Sequence, residues 1–208
     1  MSLVDIELPS PGLLKNGWAA LAAVYASRGW LRDVYATADQ WMFHDGGGNW
    51  ACLRYVDKDQ FLLLGHDHEY SETYYGEAAT YFEEKETDLL AGAPDWWKTR
   101  LDLPPCGEWI GFVYGWNGRK WQRASYDLPD GFDQVGLLRA CSMDGTVWLA
   151  EFVGEAPGLN GSPPDLETIE QLLSAGAATT PALLERAVPG WDGQAGAAAA
   201  NRFQEMPL

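Results

Sequence analysis

Two apolar runs, Ala51 to Val56 and Phe61 to Leu64, flank the polar stretch Asp57-Lys58-Asp59-Gln60. Runs of this length on either side of a short polar loop predict two strands joined as a hairpin. A third apolar segment, Trp41-Met42-Phe43, leads into Gly46-Gly47-Gly48. Glycine reaches positive φ without steric cost, so this run predicts a tight turn into the next strand. Strands are therefore expected at roughly 40–44, 49–56 and 60–66. A glycine run can also cradle phosphate, but only ahead of a helix N-terminus. Here Asn49-Trp50-Ala51-Cys52-Leu53 continues as strand.

Helical spacing governs other stretches. Leu14, Trp18, Leu21 and Tyr25 recur at steps of four, three and four, with Ser10-Pro11 as a start signal and Gly29 as a stop. Trp30 to Tyr35 reads as a short turn or a strand. A second helix is expected from Gly76 to Ala91, with Ala78, Tyr81, Phe82, Leu89 and Leu90 on one face and Glu77, Glu83, Glu84 and Glu86 on the other. Gly92-Ala93-Pro94 ends it. After a break at 103–107, Glu108–Tyr114 and Lys120–Tyr126 flank Asn117-Gly118, a strong hairpin signal. Residues 134–143 and 146–153 flank Asp144-Gly145 and predict a further hairpin. Beyond a Pro/Gly/Ser loop, Asp165 caps a helix carrying Leu166, Ile169, Leu172 and Leu173. A short helix is expected at 181–188, and the Ala-rich segment 190–208 reads as a weakly ordered helix.

The sum is an α+β fold, a mostly antiparallel sheet of hairpins with helices packed on one face. Residues 1–154 are expected to form the sheet domain, and 155–208 a helical extension docked on it.

Eleven tryptophans, nine tyrosines and seven phenylalanines imply a core or a binding face built from large rings. The adjacent Trp96 and Trp97 cannot both point to one side of a regular element, so one is expected outside or in an interface. Thirty acidic against fourteen basic residues give a net charge of −16. That disfavours nucleic acid and anionic membranes as partners, and favours a basic protein. Cys52, Cys106 and Cys141 are odd in number and widely spaced, with no CxxC pair; they predict neither a disulfide framework nor a zinc ribbon. A start without a basic, then apolar, leader and the lack of a membrane-length apolar run make the cytoplasm the expected compartment.

All three histidines, His44, His66 and His68, lie between residues 44 and 68. His66-Asp67-His68-Glu69 with Glu72 invites a metal reading, since imidazole with carboxylate suits zinc, iron, manganese or nickel. The spacing of His66, His68 and Glu72 resembles half of the cupin metal motif. Gln60 stands where that motif has glycine, and no histidine follows His68. A metal-dependent enzyme using His66, His68 and Glu72, with His44 as a possible fourth ligand, is the alternative reading. Nucleophilic catalysis has thinner support: no Gly-x-Ser-x-Gly elbow occurs, and Ser71 merely neighbours the histidines in sequence. A peptide or small-ligand cleft lined by tryptophans is a third possibility.

The same residues carry a family resemblance. Asp45-Gly46-Gly47-Gly48-Asn49-Trp50-Ala51-Cys52-Leu53-Arg54-Tyr55 resembles a strand of the SMI1/KNR4 (SUKH) superfamily. Phe61–Leu64 ending in Asp67-His68-Glu69 resembles the next, and Ala78-Ala79-Thr80-Tyr81-Phe82-Glu83-Glu84 is similar to its following helix. The resemblance covers residues 45–84. It implies a SUKH-like single α+β domain and a non-enzymatic, cytoplasmic protein-binding module with no cofactor and no catalytic residues. Many bacterial members are immunity proteins that block a polymorphic, often nuclease-type, toxin. In that reading Asp67-His68-Glu69 caps a strand and holds the loop after it. The expected partner-binding residues are Asp45, Asp67, Glu69, Glu72, Trp96 and Trp97.

Overall fold

The computed structural model describes residues 3–102, 107, 109–141, 145–154 and 164–208. It is an α+β fold with a seven-stranded antiparallel sheet. The strands are β1 (Leu3–Ile6), β2 (Val34–Ala36), β3 (Gln40–His44), β4 (Trp50–Asp57), β5 (Gln60–His66), β6 (Phe112–Trp116) and β7 (Trp121–Ala124), in the order β1-β7-β6-β5-β4-β3-β2. The chain forms two compact units, one of residues 1–10, 42–136 and 208, the other of 11–41 and 137–207. The expected boundary near 154 adjoins 155–163, which lie outside the described residues.

In the first unit the hairpins sit where the polar loops predict them. β4 and β5 pair from Trp50↔His66 to Asp57↔Gln60, and Asp59 turns the loop at φ 59°. β6 and β7 close around Asn117-Gly118, with Gly118 at φ 87°. β1 pairs with β7 across more than a hundred residues of sequence, from Leu3↔Ala124 to Ile6↔Trp121. Asp5 fixes that register by accepting hydrogen bonds from Lys120 (2.7 Å) and Gln122 (2.8 Å), and the Trp121 indole donates to Pro9 O at 2.8 Å.

The helix expected over 76–91 is only α2, Glu77–Tyr81. Glu83 at φ 57° stops it, and Thr87 N–H bonds back to Tyr74 O at 2.8 Å. Continuing the helix would place Glu83, Glu84 and Glu86 toward its negative C-terminal end, which the macrodipole disfavours.

The second unit is built around α1, Pro11–Ser27, which starts at the predicted proline. Leu14, Trp18, Leu21 and Tyr25 are buried as expected, but so is every residue from Gly17 to Ser27. A helix apolar on all sides is a central helix. The expected hairpin over 134–153 is instead α3 (Leu137–Cys141) and α4 (Gly145–Gly154). Leu137 with Ala140, and Leu149 with Val153, are buried at helical spacing. Asp144 lies outside the described residues. α5 (Leu166–Ala175) is capped by Asp165 as predicted, and α6 spans Pro181–Ala187. The Ala-rich segment forms α7 (Gly193–Asn201), which packs closely on α1: a Cβ on Gly196 would meet Ser27 Oγ and Ala23 O. Its small residues are thus there for close approach as well as helix propensity.

Candidate functional site

The knot of histidines and acids is assembled from two loops of the sheet unit. In the β3–β4 turn, Asp45 Oδ1 accepts from Gly47 N (2.7 Å) and Asn49 N (3.1 Å), while Oδ2 accepts from Asn49 Nδ2 at 2.9 Å. His44 Nδ1 accepts from Gly46 N at 3.1 Å. After β5, the buried Asp67 accepts from Glu69 N (3.0 Å) and Tyr70 N (2.8 Å) through Oδ1, turning the chain. Asn49 Oδ1 joins the two loops, receiving His68 N–H at 2.9 Å and lying 3.0 Å from His68 Nδ1. These side chains act on backbone as local capping groups.

His66, His68, His44 and Glu72 do not converge. Among the described residues no three His, Cys, Asp or Glu side chains gather where a metal could be held. The expected ligand set of His44, His66, His68 and Glu72 is therefore not assembled: His44 Nδ1 is occupied within its own turn and His68 Nδ1 faces Asn49. Half-buried at the strand end, His66 is pushed down to about 4, chiefly by burial, with Asp67 opposing and His68 assisting. It is neutral at pH 7.

Of the six expected contact residues, Asp67 and Trp97 are each 1% exposed and offer no surface to a partner. Trp97 packs over Gly115 of β6, where a Cβ would strike the indole. Its neighbour Trp96 is half-buried, with the ring centroids 5.9 Å apart, so the two indoles differ in burial. The segment carrying them is clamped by Arg54, buried on β4, whose Nη1 donates to Arg100 O and to Asp102 Oδ1, both at 2.8 Å. Asp45, Glu69 and Glu72 are exposed.

Glu69 and Glu72 belong to a cavity of about 570 Å³ in the sheet unit. Its other acidic wall residues include Glu7, Asp130 and Asp133, with Tyr70, Leu128 and Phe132 as apolar surface. Tyr114 and Tyr126 both donate to Asp130 Oδ2 at 2.7 Å. Burial, and then the Asp130 carboxylate, raise both phenols well above the usual tyrosine range, so they stay protonated donors. The Arg123 guanidinium lies 4.2 Å from the Tyr126 ring and donates to Ala124 O (3.1 Å) and Tyr126 O (3.0 Å). Ser71 Oγ donates to Asp130 O at 2.7 Å and accepts from Asp67 N at 3.2 Å. Its proton therefore rests on a carbonyl and not on a base, an arrangement that does not activate a nucleophile. The Gly131 φ of 78° brings the loop within contact of Asp67 and Ser71, tying cavity wall to knot.

Sequence reasoning missed Glu7, Tyr114, Tyr126 and Asp130. Pro129-Asp130-Gly131, a turn signature between apolar runs, was the available signal for the loop. The two described thiols are withdrawn from reaction: Cys52 is buried in β4, and burial pushes Cys141, in α3 rather than a strand, up to about 12. Cys106 lies outside the described residues. Among the described residues no helix is long and apolar enough to cross a membrane. Compared with known protein families, curated proteins and solved structures, the chain matches none.

Proposed function

We propose that this chain is a non-enzymatic, cytoplasmic module that binds a basic protein, and that it neutralises a nuclease-type toxin domain in this way. The observation that carries the reading is the cavity lined by Glu7, Glu69, Glu72 and Asp133, all exposed, together with Tyr114, whose hydroxyl donates to Asp130. Exposed carboxylates around a concave surface attract lysine and arginine, and a net charge of −16 speeds the encounter over longer range. The Tyr114 and Tyr126 hydroxyls are committed as donors to Asp130 and that of Ser71 to a backbone carbonyl, a fixed arrangement that supports a binding surface. The resemblance of residues 45–84 to SMI1/KNR4 proteins, many of them immunity proteins, supports the same reading. The residues that carry the resemblance lie in β4, in β5 and the loop after it, and in α2 and the turn that follows.

Affinity capture from cells of the source organism tests this, with wild type beside the triple variant Glu7→Gln/Glu69→Gln/Glu72→Gln. A protein rich in lysine and arginine should be held by wild type and released by the variant. Capture of no protein, or equal capture by both, contradicts the proposal.

A further inference from the structure

Tyr81 and Phe82 occupy positions where a longer helix would have buried them, yet they are 70% and 45% exposed. Their rings lie 4.9 Å apart at 84°. Trp109 meets both, at 5.2 Å from Tyr81 and 5.8 Å from Phe82, and Tyr74 closes the group at 5.5 Å from Phe82. Exposed apolar residues scattered singly are ordinary, but a contiguous group marks an interaction surface. The chain turns sharply after Phe82, through Glu83 at φ 57°, with Glu84 N–H bonded back to Ala79 O at 2.9 Å. Between residues 77 and 88 the segment carries Glu77, Glu83, Glu84, Glu86 and Asp88 against one cation, Lys85. Glu86 and Asp88 are near enough to Tyr75 to hold its phenol above its ordinary range, after burial.

We propose that this aromatic knuckle of Tyr74, Tyr81, Phe82 and Trp109 docks arginine side chains of a basic protein partner. The inference rests on the protein-binding reading above and names a second contact, outside the acid-lined cavity. A guanidinium stacks on an aromatic face while its edge N–H groups remain available to carboxylates, so exposed rings carried on an acid-rich segment suit it. The lysine ammonium is more strongly hydrated and gains less from the rings. A purely apolar partner would desolvate the flanking carboxylates with no compensation, and phosphates would be repelled. Aromatic residues flanked by charge also make effective interface anchors.

The test uses two peptides of equal length and charge, one alternating glycine with arginine, the other glycine with lysine. Each is titrated into the full chain labelled with 5-fluorotryptophan, and the Trp109 fluorine signal is assigned with Trp109→Phe. The arginine peptide should move the Trp109 signal saturably and bind about threefold tighter than the lysine peptide. Tyr81→Ala should abolish that preference and Tyr81→Phe should keep it, while the other tryptophan signals report that both variants are folded. If the two peptides bind alike and Trp109 stays still, the knuckle is not the contact, although acid-driven binding stands. If neither peptide binds at low ionic strength, the protein-binding reading fails and this inference with it.

Discussion

His68 Nδ1 lies 3.0 Å from the side-chain oxygen of Asn49, and the amide of that same Asn49 donates to Asp45 Oδ2 at 2.9 Å. One asparagine thus ties the β3–β4 turn to the loop after β5. The imidazole of His68 is a structural strut, its Nδ1 facing the Asn49 oxygen.

Asn49→Ala should lower unfolding free energy by about 1–2 kcal/mol, since it removes several partly exposed hydrogen bonds at once. Urea denaturation measures this. Because His44, His66, His68 and Glu72 do not converge, zinc, nickel or manganese should give wild type no saturable rise in Tm.

His66 gives a pH dependence of known sign. Its folded pKa, about 4, lies below the ordinary histidine value of 6.5, since burial disfavours the cation. The unfolded chain therefore binds more protons between these values, and stability falls as pH drops from 6.5 toward 4. The urea midpoint should follow that slope, and His66→Gln should flatten it. An NMR titration of the imidazole should show its midpoint near the folded value.

The Asp130 carboxylate serves two largely buried phenols, at 2.7 Å each. Asp130→Ala leaves both donors without their acceptor and should cost about 2–4 kcal/mol. Tyr114 and Tyr126 have folded pKa values raised above the unfolded one, by burial first and by Asp130 next. Their contribution is fully present below about pH 10 and is lost as pH climbs beyond it. Tyr114→Phe should soften that alkaline loss, as followed by chemical denaturation at stepped pH.

Gly115 leaves room for the indole of Trp97. Gly115→Val should destabilise by about 2 kcal/mol or more through overpacking, with loss of near-ultraviolet dichroism from the displaced ring.

The hairpins were legible in the sequence because their turns are chemically distinctive. Asp57-Lys58-Asp59-Gln60 and Asn117-Gly118 interrupt apolar runs, and the strands fall within a few residues of expectation. Residues 137–153 were misread because short apolar runs fit a strand or a buried helix equally well, and the neighbours that decide lie elsewhere in sequence. The Ala140 carbonyl against Gly17 is such a neighbour. The pairing of β1 with β7 and the joining of Glu7, Tyr114 and Asp130 in one cavity are likewise non-local, and no spacing within residues 3–7 encodes them. Asp67 and Trp97 were placed on a surface because residue type suggested contact. Burial turns both inward, one to cap a turn and one to cover Gly115.

Hydrogen-exchange mass spectrometry of the chain, alone and with the basic protein it captures, tests the central claim most directly. The account predicts slowed exchange at two loops that carry acids of the cavity wall, residues 66–73 and 128–134. Unchanged exchange at both loops, with protection confined elsewhere in the chain, would contradict it.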